Sequence, residues 1–238
     1  MTSLNGASVI VAGASGGLGA PLTHLLAEAG AKLTLTARRA EGLASLQPAA
    51  LGNGAVAVPL DLRKPGAAQS VVDVAMRTHG GIDGVVCALG AVAFGPAMEL
   101  PDQVLIDLFT LNTLTPIRLL KAAYPHLLAS AAQGRSPFVI QISAVVAEQP
   151  TPGMAAYSAS KSALTAFDKA TARELRRAGI RLVDVRPPHT ETGLAERPMY
   201  GTSPRLPHGL PPRTVAKRII GAITDGDSDV PSGAFILG

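Results

Sequence analysis
The chain has 238 residues, of which 47% are hydrophobic, 16% charged and 3% aromatic, with a formal net charge of +4. That length and apolar content suit one α/β domain with a full core and exclude a disordered chain. The single Cys87 excludes a disulfide scaffold, and His24, His79, His126, His189 and His208 are too scattered for local metal-ligand spacing, so no metal is expected.

Short apolar runs alternate with longer helical patterns. Residues 7–12 read as a strand that enters a glycine-rich turn, and residues 19–29 as a helix ended by Gly30. Residues 32–37, with β-branched character, form the second expected strand; 55–60, 84–88, 138–142 and 181–185 are the next four. Between them lie amphipathic segments at 67–78, 102–129 and 157–178, and a further helix is expected at 214–224 before a last apolar piece at 235–237. Such alternation predicts an α/β fold, a doubly wound parallel sheet with helices on both faces, in a single domain spanning 1–238. The proline-rich segment 193–212 breaks the rhythm. It follows the sixth strand, on the edge where open parallel sheets bind ligands, and is expected to be a loop covering the substrate.

No run approaches the roughly 18 apolar residues of a membrane span, and the first residues lack the pattern of a signal peptide. A soluble, cytoplasmic protein with no membrane partner is expected. Its basic residues come singly or in pairs such as Arg176-Arg177, without base-stacking aromatics, so no nucleic-acid partner is expected either.

The first strand runs into Gly13-Ala-Ser-Gly-Gly-Leu-Gly19. Gly13, Gly17 and Gly19 permit a tight turn that brings backbone amides, with Ser15 and Leu18 among the turn residues, close to a pyrophosphate at a helix N-terminus. Past the second strand stand Arg38 and Arg39, with no carboxylate at the strand tip. Guanidinium groups there suit a 2′-phosphate, so NADP(H) is preferred and NAD(H) remains possible. Tyr157 and Lys161 lie one helical turn apart and share a face. A nearby ammonium is expected to lower the phenol's pKa from its ordinary value near 10, fitting Tyr157 to exchange a proton with a carbonyl or alcohol oxygen. Pro116 has no N–H for the carbonyl of Asn112, which is expected to stay free to accept from water.

Together these pieces resemble the short-chain dehydrogenase/reductase family of single-domain type, nearly end to end. The match rests on Gly13, Gly17 and Gly19, on Asp61 and Leu62 after the third strand, and on Asn112, Tyr157, Lys161 and Thr192. The resemblance implies a Rossmann fold and a nicotinamide cofactor, with Asp61 at the adenine and Lys161 at the nicotinamide ribose. It also implies Tyr157 as acid/base, Asn112 on a water-linked proton path, and a homodimer or homotetramer.

Three departures stand out. The family's catalytic serine position is Ala144, with Ser143 one residue early as a candidate substitute. The fourth strand ends Cys87-Ala-Leu-Gly90, keeping only Gly90. The sixth leads into Pro187-Pro188-His189, where Pro188 replaces a glycine and His189 is either solvated or a substrate contact. The leading expectation is an oxidoreductase moving hydride between NADP(H) and a small neutral or apolar carbonyl or alcohol. The alternative is a catalytically weak nucleotide-binding regulatory or scaffold protein on the same fold.

Overall fold
The computed structural model describes residues 2–47 and 51–235. Seven strands form one sheet: β1 (Ser8–Ala12), β2 (Lys32–Ala37), β3 (Val56–Pro59), β4 (Gly84–Cys87), β5 (Phe138–Ile142), β6 (Arg181–Val185) and β7 (Asp229–Val230). Every pairing is parallel, in the order β3-β2-β1-β4-β5-β6-β7. The inner strands β1, β4 and β5 are buried along their whole length, as expected of parallel strands covered on both faces. The order reverses between β1 and β4, and there the crevice beyond the strand ends is the natural ligand site.

Alternation along each strand sorts the core into two faces. Val9, Val11, Leu33, Leu35, Ile140 and Val183 pack beneath α1 (Gly19–Glu28) and α7 (Pro212–Asp225), whose Leu22, Leu26 and Ile219 are buried. Ile10, Val85, Val139 and Leu182 meet α3 (Ala67–His79), α5 (Thr115–Ala132) and α6 (Ala155–Arg177). Each fully buried Leu or Ile contributes about 1.5–3 kcal/mol by leaving water. Helix α3 stops at Gly80, whose φ of 76° admits a left-handed cap with its N–H on the Met76 carbonyl. The short α2 (Ala40–Ala44) follows β2.

Three expectations need correction. The helix anticipated at 102–129 is two helices, α4 (Asp102–Phe109) and α5, joined by a π turn at Thr110–Leu114. In that wider turn both the Thr115 N–H and the Thr115 Oγ, at 2.7 Å, donate to the Thr110 carbonyl. Pro116, lacking an N–H, enters α5 in its first turn, where no intrahelical donor is required. For the same reason α7 starts at Pro212 rather than at 214. The last strand is Asp229–Val230, paired with Asp184 and Val185, whereas Phe235 sits buried in a 3₁₀ turn. Residues 236 and 237 of the expected apolar piece lie outside the described residues.

Candidate active site
The glycine turn joins β1 to α1 through contacts that leave no room for side chains. Gly13 has a φ of 80°, and a Cβ there would lie 2.6 Å from the Ala88 carbonyl oxygen. A Cβ on Gly19 would lie 2.0 Å from the Gly13 oxygen, and one on Gly17 2.3 Å from the Thr192 oxygen. The turn is thus pressed between the end of β4 and the segment after β6, and its residues Ser15–Leu18 stay partly exposed. Ser15 touches the start of α2, since a Cβ on Gly42 would lie 2.9 Å from its Oγ. Arg38 and Arg39 are exposed beyond β2. Asp61 accepts from the Arg63 backbone N–H at 3.0 Å and from its Nη2 at 2.7 Å, and this pairing holds its carboxyl below the ordinary range. Leu62 turns into the core and leaves only its backbone for a ligand.

Across the crevice, Asn112 on the π turn ties together two elements that strand order alone would not join. Its Oδ1 accepts from the Ala91 N–H at 2.9 Å, while its Nδ2 donates to the Ala91 carbonyl at 2.9 Å and to Ser160 Oγ at 3.0 Å. Ser160 Oγ in turn donates to the Tyr157 carbonyl at 2.8 Å. Gly90 lies beside this knot, because a Cβ there would come within 3.8 Å of Lys161 Nζ and 3.9 Å of Asn112 Oδ1. The structure therefore gathers Gly90, Asn112, Tyr157 and Lys161 at the ends of β4 and β5. Tyr157 is buried in an apolar cluster with Val92, Phe94, Leu108, Ala144 and Val146. The segment after β6 closes onto that cluster: Met199 N–H donates to the Val92 carbonyl at 2.7 Å, Phe94 N–H to the Tyr200 carbonyl at 3.0 Å, and Leu194, Ala195 and Met199 pack on it.

A sequence model of the short chain dehydrogenases matches residues 7–199. The chain belongs to that family of oxidoreductases. It is 30% identical to a dehydrogenase/reductase SDR family protein 7-like of Anopheles gambiae, over 95% of this chain and 75% of that one. It is 28% identical to the 3-oxoacyl-acyl-carrier-protein reductase FabG of Vibrio cholerae, over 99% and 95%. The fold superposes with a TM-score of 0.87 on a 3-ketoacyl-(acyl-carrier-protein) reductase from Brucella melitensis complexed with NADH, at 24% identity and with 98% and 100% of the two chains covered.

This short-chain dehydrogenase/reductase departs from two sequence-based expectations. Ser143 is not brought to Tyr157. Its N–H continues the sheet to the Val185 carbonyl, so strand alternation persists, and its Oγ donates to Asp184 Oδ1 at 2.5 Å beneath the sheet edge. At position 144 the alanine methyl packs within the Tyr157 cluster and offers no hydroxyl. The second correction concerns Lys161. Its ammonium donates to the Ile142 carbonyl at 2.8 Å and the Leu89 carbonyl at 3.4 Å, and burial pushes the Tyr157 phenol up to about 12 rather than down.

His189 is partly exposed in an open hollow of about 430 Å³ formed by the loop itself with Glu191, Glu196 and His208, and Tyr157 does not line that hollow. Its Nε2 lies 3.6 Å from Glu191 Oε1, which accepts from the Gly209 N–H at 2.6 Å, so the imidazole serves the loop's own bracing. Sequence reasoning missed a cluster behind the site. Arg186 bonds Glu148, Asp184 and Asp229 together, and Asp168 is fully buried on α6. The only signal was a carboxylate at an inward-facing position of an apolar strand or helix.

Proposed function
We propose that this protein is an NADP(H)-dependent reductase of small, neutral or apolar carbonyl compounds, with Tyr157 as the proton donor. The observation that carries this reading is the placement of Tyr157 in an apolar cluster, with Lys161 and Asn112 brought to the ends of β4 and β5 beside it. The site fits a dinucleotide. The turn at Gly13, Gly17 and Gly19 admits no Cβ without collision, so backbone alone lines the place where a pyrophosphate would rest. Arg38 and Arg39, exposed and with no carboxylate at the tip of β2 itself, would take a 2′-phosphate, and Asp61, Leu62 and Thr192 would line the rest of the site. The reduced nicotinamide supplies hydride when bound. Tyr157 then donates its phenolic proton to the substrate oxygen as the alkoxide forms, and Lys161 holds the ribose side of the site.

The apolar lining of Val92, Phe94, Ala144, Val146 and Met199 supports a substrate without charge near the reacting carbon, held under the 193–212 loop. The reductases among its relatives support the direction of the reaction. The NADH bound by the Brucella enzyme keeps NAD(H) as the second cofactor. Ile106, Leu114 and Tyr124 are exposed on α4, the π turn and α5, which supports a homodimer or homotetramer through those helices. No helix among the described residues is long and apolar enough to cross a membrane.

The test is Tyr157→Phe, assayed against a panel of neutral ketones and aldehydes and titrated with NADPH and NADH by nicotinamide fluorescence. Reduction should fall to background while NADPH binding persists and exceeds NADH binding. Undiminished turnover rejects Tyr157 as the acid. Nucleotide binding without turnover in the wild type would favour the scaffold reading, to which Ala144 points.

A further inference from the structure
Lys161 is buried, and a buried ammonium is stable only when a counter-charge accompanies it. Its hydrogen bonds go to two backbone carbonyls, Ile142 and Leu89, which are neutral. The nearest acidic groups occupy the layer beneath. Cys87, Gln141 and Asp184 stand in register across β4, β5 and β6, on the face covered by α5 and α6 and one residue, about 3.3 Å, below the Ile142 level. Asp184 is already claimed, by Ser143 and by Arg186, which also binds Glu148 and Asp229. The carboxyl left over is Asp168. It lies seven residues after Lys161, two turns along the same face of α6, with a side chain inclined back toward the helix N-terminus and so toward Lys161.

Asp168 is wholly buried, and both of its carboxyl oxygens lack any hydrogen-bond partner in the protein. The same is true of both polar atoms of the Gln141 amide and of the Thr165 hydroxyl, one turn before Asp168. Five unclaimed polar atoms gathered behind one lysine do not describe an ordinary apolar core, where buried polar groups are paired or bridged by ordered water.

We propose that Asp168 is a positioning residue of this enzyme: its carboxylate, on the sheet side of α6, is the counter-charge that keeps Lys161 an ammonium and holds it against the Ile142 and Leu89 carbonyls. The proposal rests on the reading of Lys161 as part of an oxidoreductase site. Among the carboxylates acting on Lys161, Asp168 ranks next after Asp184, which is already claimed. Burial lowers the Lys161 ammonium to about 8, and Asp184, Asp168 and Cys87 oppose that fall. Burial and then Asp184 raise the Asp168 carboxyl, while Lys161 and Arg186 lower it. Each group thus favours the charged form of the other.

The test uses the full chain labelled with ¹³C at lysine Cε, with the Lys161 signal identified by its loss in Lys161→Met. In Asp168→Asn the Lys161 midpoint should fall by about one pH unit or more below that of the wild type. The alkaline limb of NADPH-linked reduction should move with it. NADPH affinity measured near pH 6, where the ammonium persists in both chains, should be unchanged. Asp83→Asn removes a buried carboxylate at the opposite end of the sheet, bonded to Ser8, Ser130 and Arg135, and should lower thermal stability without moving the Lys161 midpoint. Should Asp168→Asn lose its fold, Asp168→Ser is titrated by the same criterion. An unchanged or raised Lys161 midpoint in the folded variant overturns the proposal. Because the NMR titration needs no turnover, absence of reductase activity would count against the proposed function and leave this result readable.

Discussion

Gly17→Ala offers a direct test of how the glycine turn and the segment after β6 define the nucleotide site. Gly17 has no positive φ, so an alanine there suffers no backbone strain and the whole effect comes from one methyl group. That methyl would lie 2.3 Å from the Thr192 oxygen, 2.6 Å from its Cβ and 2.7 Å from its Cα. Ordinary contact needs about 3.5 Å, so Thr192 must retreat by roughly an ångström. It does not retreat alone. The Thr192 N–H is bonded to the Thr190 carbonyl at 2.7 Å, and Arg197 clamps the Thr192 and Gly193 carbonyls at 3.3 and 2.8 Å. Overpacking of this kind costs about 1–3 kcal/mol, here at the low end because the loop lies at the surface. Displacing Thr192 from the turn should weaken NADPH binding by tenfold or more, about 1.4 kcal/mol. The midpoint of thermal unfolding should drop by only about 2–4 °C. Fluorescence titration and thermal melting on the same preparation separate the two effects. A folded Gly17→Ala protein that binds NADPH within about threefold of wild type would refute the placement of the pyrophosphate between this turn and Thr192. Gly19→Ala is the harsher comparison, since its methyl would meet the Gly13 oxygen of the turn itself at 2.0 Å.

Two further outcomes follow from single residues. Ala144→Ser places a hydroxyl in the Tyr157 cluster at a backbone position that is already extended, and loss of one such donor elsewhere costs about 10² to 10³ in rate. Turnover should therefore rise by about tenfold or more, and a neutral or harmful result would show that another donor already holds the substrate oxygen. Glu148 contributes to acid stability: burial by itself would raise its carboxyl, but hydrogen bonds from Ser232 and Arg186 outweigh burial and hold it below the ordinary value. A lowered carboxyl stabilises the fold above its unfolded pKa of about 4.3, and that share is lost as pH falls through the folded value. Glu148→Gln should melt lower than wild type near neutral pH and show a flatter decline into acid; parallel declines would remove Glu148 from the acid transition.

Most of the sheet was legible because buried parallel strands are written as contiguous apolar runs. Residues 32–37, 138–142 and 181–185 have the limits seen in β2, β5 and β6. β7 was illegible for the opposite reason. Asp229–Val230 has no apolar run, and its position follows from Asp229 meeting Arg186 at 2.6 and 2.7 Å, a contact between residues far apart in sequence. The π turn escaped detection because five residues are too few for hydrophobic spacing to distinguish it from an α turn. Ser143 was a plausible substitute only while its hydroxyl was free to turn toward Tyr157. Its hydroxyl, held by Asp184, stays in the Gln141 and Asp184 layer, while Ala144, just past the end of β5, packs in the Tyr157 cluster.

The same geometry sets the protonation state in which Tyr157 rests. A phenol held at about 12 by burial keeps its proton at neutral pH, and an alkoxide is a far stronger base than the phenolate it leaves behind. Tyr157 can therefore donate to a nascent alkoxide without prior activation. Acting as a base on an alcohol, it would start from a small phenolate population at neutral pH. Lys161 changes this balance only through its charge, and in this structure that charge is anchored to the Ile142 and Leu89 carbonyls. Burial thus leaves Tyr157 in its acid form, ready to protonate a nascent alkoxide, and the reverse reaction starts from the phenolate that this donation leaves.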